Sequence, residues 1–163
     1  MDVIYRSIGT VRSPFTQSAG MPIQPSRAQG AEGHLELEPE FWPGLKDLDG
    51  FSHLLLASHL HRTGAAQLQV VPFLDTQARG IFATRAPARP NPIAISLLRI
   101  LGIEPGRVRV ADLDLLDGTP ILDIKPYVPE FDARLDVRIG WYADAARKDQ
   151  QVVADGRFSR GPT

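Results

Sequence analysis

Apolar and polar residues alternate along much of this chain, and the period is that of β-strands. Val3, Ile4, Tyr5, Ile8 and Val11 predict a first strand closed by Ser13-Pro14. Leu35 and Leu37 alternate with His34, Glu36 and Glu38, the period-two pattern of a half-buried strand. Glu40 to Leu48 reads as a short helical turn broken at Pro43-Gly44, and the run FSHLLLASHLH from Phe51 is apolar enough for a central strand. Gln67 to Phe73 predicts another. Gly80 to Thr84 and Ile93 to Leu101 read as strands either side of a proline loop, followed by a turn from Gly102 to Gly106. Val108 and Val110 open a strand that runs into DLDLLDG, with Leu113 and Leu115 on one face and Asp112 and Asp114 on the other. Leu135, Val137 and Ile139 predict a last strand, YADAARKDQQVV a helix, and the residues from Asp155 onward a frayed end.

Two polar stretches stand out against this pattern. In GIFATRAPARPNPIAIS, Pro87, Pro90 and Pro92 fix their own φ angles and push Ala86, Arg89 and Asn91 toward extended conformations. Arg85, Arg89 and Asn91 therefore sit on a stiff backbone, which serves equally as a stabilised turn or as a preorganised ligand loop. In DLDLLDGTPILDIKPY, Asp117-Gly118 predicts a hairpin turn, while Asp123 and Lys125 interrupt an apolar strand at alternate positions. The span Thr16 to Gly30, with Pro22, Pro25 and Ser26, reads as exposed loop.

Composition narrows the class. A chain of 163 residues is the size of one domain, expected here over 1–163 with a core at about 3–142 and a tail at about 143–163. The 14 glycines and 14 prolines imply many turns and a mainly-β fold. Zero cysteines exclude disulfides, thiolate chemistry and zinc–sulfur sites. No run is long enough to span a membrane, and the start MDVIYRSIGT lacks the features of a leader, so a cytoplasmic protein without membrane attachment is expected. A net charge of -1 argues against a general nucleic-acid binder. Locally, however, five arginines between Arg79 and Arg107 face the single acid Glu104, and the segment up to Asp136 is mostly acidic. His53, His59 and His61 would share one face of an unbroken strand. No cysteine or carboxylate accompanies them, so polar lining is expected there and no metal.

The segments RPNPIAIS and LDGTPILDIKPY, together with GTVRSPF, FSHLLLASHLH and GIFATR, resemble the TsaA-like (TrmO, UPF0066, YaeB-like) family over roughly residues 6 to 130. Ala86 stands where that family usually has serine, and Ala94 where glycine is usual. The resemblance implies a small single-domain β-barrel with long loops and one or two short helices, usually a homodimer. It implies S-adenosylmethionine as cofactor and N6-methylation of threonylcarbamoyladenosine in the tRNA anticodon loop. Methylation of a small molecule, or cofactor binding without catalysis, stays open beside it. Carried onto this chain, the cofactor positions are Pro25, Ser26, Arg27, His61, Arg62, Arg85, Arg89, Asn91, Leu97, Asp114, Leu115, Leu116, Asp117, Gly118 and Thr119. The glycine-rich fingerprint of Rossmann-type methyltransferases is absent, so another kind of fold must hold the cofactor. By the chemistry of that ligand, Arg85 or Arg89 can meet its carboxylate and Asp114 or Asp117 its positive groups. Should the acceptor need a base, His61 and Asp117 are the candidates.

Overall fold

The structure is a computed structural model describing residues 1–24, 26, 28, 30–145, 153–155 and 157–159. Eight strands follow in chain order: β1 (Gly9–Arg12), β2 (Gly33–Leu37), β3 (His53–His59), β4 (Gln69–Val70), β5 (Arg79–Gly80), β6 (Ile93–Glu104), β7 (Arg107–Ala111) and β8 (Pro120–Pro126). Among the described residues two short α-helices come after them, α1 (Pro129–Asp132) and α2 (Tyr142–Ala145). Six of the strands close into a barrel in the order β1-β2-β7-β6-β3-β8, and β4 and β5 form a separate two-stranded ribbon. Every pairing in the barrel is antiparallel. The fold is thus a mainly-β barrel with long loops and few helices.

Closure explains which alternating positions point inward. Val11, Leu35, Leu54, Leu56, Leu98, Val108, Val110 and Ile121 are all 0% exposed and form the barrel interior. Burying a side chain of this size contributes about 1.5–3 kcal/mol, so these positions hold the barrel shut. Gly33 lets β1 and β2 approach closely, because a Cβ there would overlap the Arg12 carbonyl oxygen and the Leu113 side chain.

Closure also explains where the strand pattern misleads. Leu135, Val137 and Ile139 alternate as a strand should, yet they form none and are 99%, 56% and 52% exposed. A closed barrel offers no free edge for them to pair with. Residues 3–5 likewise lie outside β1, exposed and beyond its last register pairs, Gly9 with Leu37 and with Ile121. Gly80 to Thr84 is the end of β5 followed by a 3-10 turn at Ile81–Ala83, and the strand expected over Gln67 to Phe73 shrinks to Gln69–Val70. The turn at Pro39–Leu45 runs through Pro43 rather than breaking there. β6 extends to Glu104, which leaves only Pro105 and Gly106 to turn the chain.

Two further expectations are corrected. Asp117-Gly118 is not a hairpin, since β7 and β8, which it joins, are not neighbours in the barrel. The tail beyond Asp155 is not frayed where described: Phe158 is buried with Val70, Ile81, Ala86 and Ala88 in a second apolar cluster. Ser159 forms an isolated bridge with Thr63, and Val153 one with Pro22. Of the expected helix after Trp141, Tyr142–Ala145 is seen, and the rest lies outside the described residues.

Candidate functional site

Antiparallel closure gathers the ends of β1, β3 and β7 and the starts of β2, β6 and β8 at one end of the barrel. The two sequence-marked loops, 84–92 and 112–119, both emerge there. Pro105 and Gly106, with the open groove of about 620 Å³ beside Trp42, lie at the opposite end.

Loop 112–119 is stitched to β1 and to the loop that follows it. Val11 donates to the Thr119 carbonyl at 2.9 Å, Gly118 to the Val11 carbonyl at 2.9 Å, and Asp117 to the Phe15 carbonyl at 2.8 Å. The Asp117 carboxylate accepts from the Ser13 backbone N–H at 3.1 Å, so it acts as a cap on the chain leaving β1. Thr119 is buried, and both its N–H and its hydroxyl donate to the Leu116 carbonyl, at 3.2 and 2.8 Å. This closes a four-residue turn whose third position, Gly118, has φ +79° and so suits glycine. Leu115 is buried in the barrel core.

Asp114 differs from Asp117. Ser96, on the inner face of β6, donates to its carboxylate at 2.6 Å. Burial pushes the Asp114 carboxyl up to about 6, against the opposing pull of that hydrogen bond and of the nearby Arg85 charge. Ser58, on the inner face of β3, is 0% exposed, and its hydroxyl has no partner among the described residues. The register pairs Leu56 with Ser96 and Ser58 with Ala94, so the two serines are diagonal neighbours on one face. The apolar barrel interior therefore ends, beneath Asp114, in a floor of hydroxyls.

Loop 84–92 is held from within. Arg89 donates through Nη1 to the carbonyls of Ile81, Thr84 and Ala86, at 3.1, 2.9 and 3.4 Å, and lies over the Phe82 ring at 5.9 Å. Its guanidinium thus clamps its own loop. Arg85 is exposed and donates to the Gln24 side chain at 2.7 Å, which bridges the proline loop to the loop after β1. Asn91 is exposed, with its carbonyl accepting from Ile93.

His61 lies beyond the end of β3, and its Nε2 is 4.0 Å from where a Cβ on Gly118 would sit. Burial lowers its basicity, with Arg62 and His59 adding to the effect. Arg62 donates to the Thr16 carbonyl at 3.0 Å. The three histidines do not assemble: His53 bonds Ser52 at the start of β3, and His59 is exposed at its end. Among the described residues, no three His, Cys, Asp or Glu side chains are grouped to hold a metal ion.

The structure thus brings together Asp114, Asp117, Gly118, Thr119, Leu116, His61, Arg62 and Arg85 at one barrel end. Leu97 is not among them; it projects from the outer face of β6, 38% exposed and opposite Leu55. Ser26 is exposed in the loop after β1, while Pro25 and Arg27 lie outside the described residues. Ser58 and Ser96 were missed from sequence. Their signal was present, as the inward positions of β3 and β6 that carry a hydroxyl where the strand pattern calls for an apolar side chain.

A closed six-stranded barrel with two polar loops at one end, and no Rossmann sheet among the described residues, defines a class of small single-barrel proteins. The chain belongs to the family of the tRNA-methyltransferase O N-terminal domain, which it matches over residues 10–133. It is 50% identical to a probable S-adenosyl-L-methionine-binding protein of Pyrococcus abyssi over 96% of this chain and 85% of that one. It is 34% identical to the tRNA (adenine(37)-N6)-methyltransferase of Escherichia coli over 92% of this chain and 68% of that enzyme. The crystal structure of TrmO from Pseudomonas aeruginosa superposes with a TM-score of 0.73 at 41% identity, covering 86% of this chain and 63% of that one. The chain therefore spans a little under two thirds of that solved protein.

Proposed function

We propose that the protein is an S-adenosylmethionine-dependent methyltransferase whose acceptor is the N6 nitrogen of a modified adenosine, threonylcarbamoyladenosine, in the tRNA anticodon loop. The observation that carries this reading is the convergence of loops 84–92 and 112–119 over the hydroxyl-floored end of the barrel, in a chain of this family. The donor set suits the ligand. Asp114 and the Ser58 hydroxyl, which has no partner among the described residues, offer polar contacts in a poorly hydrated place, and Arg85 offers a cation for a carboxylate. When bound, the cofactor supplies an electrophilic methyl group on a sulfonium centre. The residues at the barrel end bind and orient: Gly118 allows close approach, Asp117 and Arg89 keep the two loops in place, and the barrel excludes water from below. Positioning of this kind can contribute about 7–11 kcal/mol to a bimolecular transfer.

A tRNA substrate goes with a cytoplasmic location, and no described helix is long and apolar enough to cross a membrane. The outer face of β6 exposes Ile93, Ile95 and Leu97 at 39%, 67% and 38%, and a second copy of the chain is the proposed cover for it. Sedimentation should then report a dimer.

Calorimetry in the presence of chelator should show one S-adenosylmethionine per chain. Incubation with tRNA carrying threonylcarbamoyladenosine, followed by digestion and mass analysis, should show a methyl increment on that nucleoside. Binding without transfer would favour a small-molecule acceptor, and binding only with added divalent metal would overturn the cofactor reading.

A further inference from the structure

We infer that Asp114, fixed by the Ser96 hydroxyl at the mouth of the barrel, is the group that takes the acceptor's proton during methyl transfer, in place of His61 or Asp117. The inference rests on the methyltransferase reading above and assigns a role within it. An exocyclic adenine nitrogen has its lone pair delocalised into the ring, so a neutral N-methyl product requires that its N–H proton be removed. As the nitrogen forms its bond to the methyl carbon of a methyl-sulfonium donor, the carbon–sulfur bonding pair goes to sulfur, leaving a neutral thioether. The N–H proton passes to a carboxylate oxygen of Asp114, which becomes a neutral carboxylic acid, and charge balances on both sides.

Geometry separates Asp114 from its two rivals. The Asp117 carboxylate caps the Ser13 N–H at 3.1 Å from a turn whose backbone is bonded to β1 and to Phe15, so protonating or moving it would cost a structural hydrogen bond. Burial makes His61 a poorer proton acceptor than an ordinary imidazole, and the charges of Arg62 and His59 add to the effect. Asp114 accepts from the Ser96 hydroxyl at 2.6 Å and from its own backbone N–H, and lies above the inner face of the barrel rather than on its outer wall. Two donors still leave about half of a carboxylate's roughly four acceptor sites free. Ser58 adds a second inward hydroxyl beside Ser96, 0% exposed and without a partner among the described residues, so this end of the interior is polar by design of the two strands and not by accident of one residue. Poor hydration moves the Asp114 carboxyl to about 6, close to the operating pH, where a general base is most effective.

The test compares wild type with Asp114→Asn, Asp117→Asn and His61→Ala. Asp114→Asn keeps the shape and an acceptor for Ser96 but loses the base. At saturating S-adenosylmethionine, transfer to tRNA should fall by about 100-fold or more, well beyond any loss of cofactor affinity that calorimetry reports, as expected for loss of general-base catalysis. In wild type the rate should rise with pH through about 6, and that rise should vanish in Asp114→Asn. The melting temperature of Asp114→Asn at pH 7 should exceed that of wild type, a readout independent of turnover. An active wild type whose pH dependence survives Asp114→Asn and disappears in His61→Ala would overturn the assignment in favour of His61. So would a loss of cofactor binding in Asp114→Asn equal to the loss of turnover. A wild type that binds cofactor but transfers no methyl to tRNA would instead fail the parent reading.

Discussion

The proline-rich loop 84–92 and the aspartate-rich loop 112–119 reach the same end of the barrel, but they dispose of their charges in opposite ways. The first turns its most central cation inward on itself: Arg89 bonds two of the loop's own carbonyls, those of Thr84 and Ala86, and that of Ile81 in the turn before it. The second is held by backbone bonds to β1 and Phe15 and by the Asp117 cap, which leaves Asp114 free to face the barrel mouth. The first loop draws on a charged side chain, Arg89, for its closure. The second draws on its main chain and the Asp117 cap, and it leaves the Asp114 carboxylate for the proton transfer proposed above. Residues that look alike in sequence, two arginines and two aspartates, therefore divide into loop supports and proposed working groups according to what the backbone around them already satisfies.

The contrast can be broken most forcefully at the clamp. Arg89→Ala removes three side-chain-to-carbonyl bonds and the contact over Phe82, and should destabilise the protein by about 2–4 kcal/mol, since hydrogen bonds to charged groups contribute about 1.5–3 kcal/mol each and these share one nitrogen. Cofactor affinity should fall at least about tenfold with it. Chemical denaturation and calorimetry on the same sample check both, and a variant as stable as wild type would remove Arg89 from the supports. Asp117→Ala should cost less, about 1–3 kcal/mol, because one backbone donor, the Ser13 N–H, loses its acceptor.

The smallest effect has the opposite sign. Asp114 ionises at an ordinary 3.8 in the unfolded chain and at about 6 in the fold. Below the lower value both states are protonated and no charge penalty arises; above the higher one the native state carries the whole of it. Asp114→Asn should therefore stabilise by on the order of 1–2 kcal/mol at pH 7, discounted for residual solvent access, and the gain should vanish below about pH 4. Thermal melts across that range would show it. A gain that persisted at low pH would point to better packing rather than to relief of a buried charge.

Sequence reading recovered β2, β3, β6 and β7, where inward and outward positions differ sharply in polarity, and it located both loops. It failed where polarity was informative but topology was not visible. Leu135, Val137 and Ile139 carry a strand's pattern with no edge to join, and Asp117-Gly118 carries a hairpin's turn residues between strands that never pair. At the site, the types of residue were legible and their allegiances were not. Arg89's partners depend on the 3-10 turn at Ile81–Ala83 bringing carbonyls round to it. Asp114's partner is Ser96, 18 residues earlier on another strand. Ser58 and Ser96 read as ordinary strand serines until the barrel register places them side by side on the inner face.

If this barrel end binds a methyl donor and delivers the methyl to an adenosine nitrogen in tRNA, as proposed, the label can be followed. The purified chain is incubated with S-adenosylmethionine bearing an isotopically labelled methyl and with tRNA carrying threonylcarbamoyladenosine, and the digested nucleosides are weighed. One labelled methyl should appear on that nucleoside and on no other. Unlabelled tRNA from protein that calorimetry shows to be loaded with cofactor would contradict it.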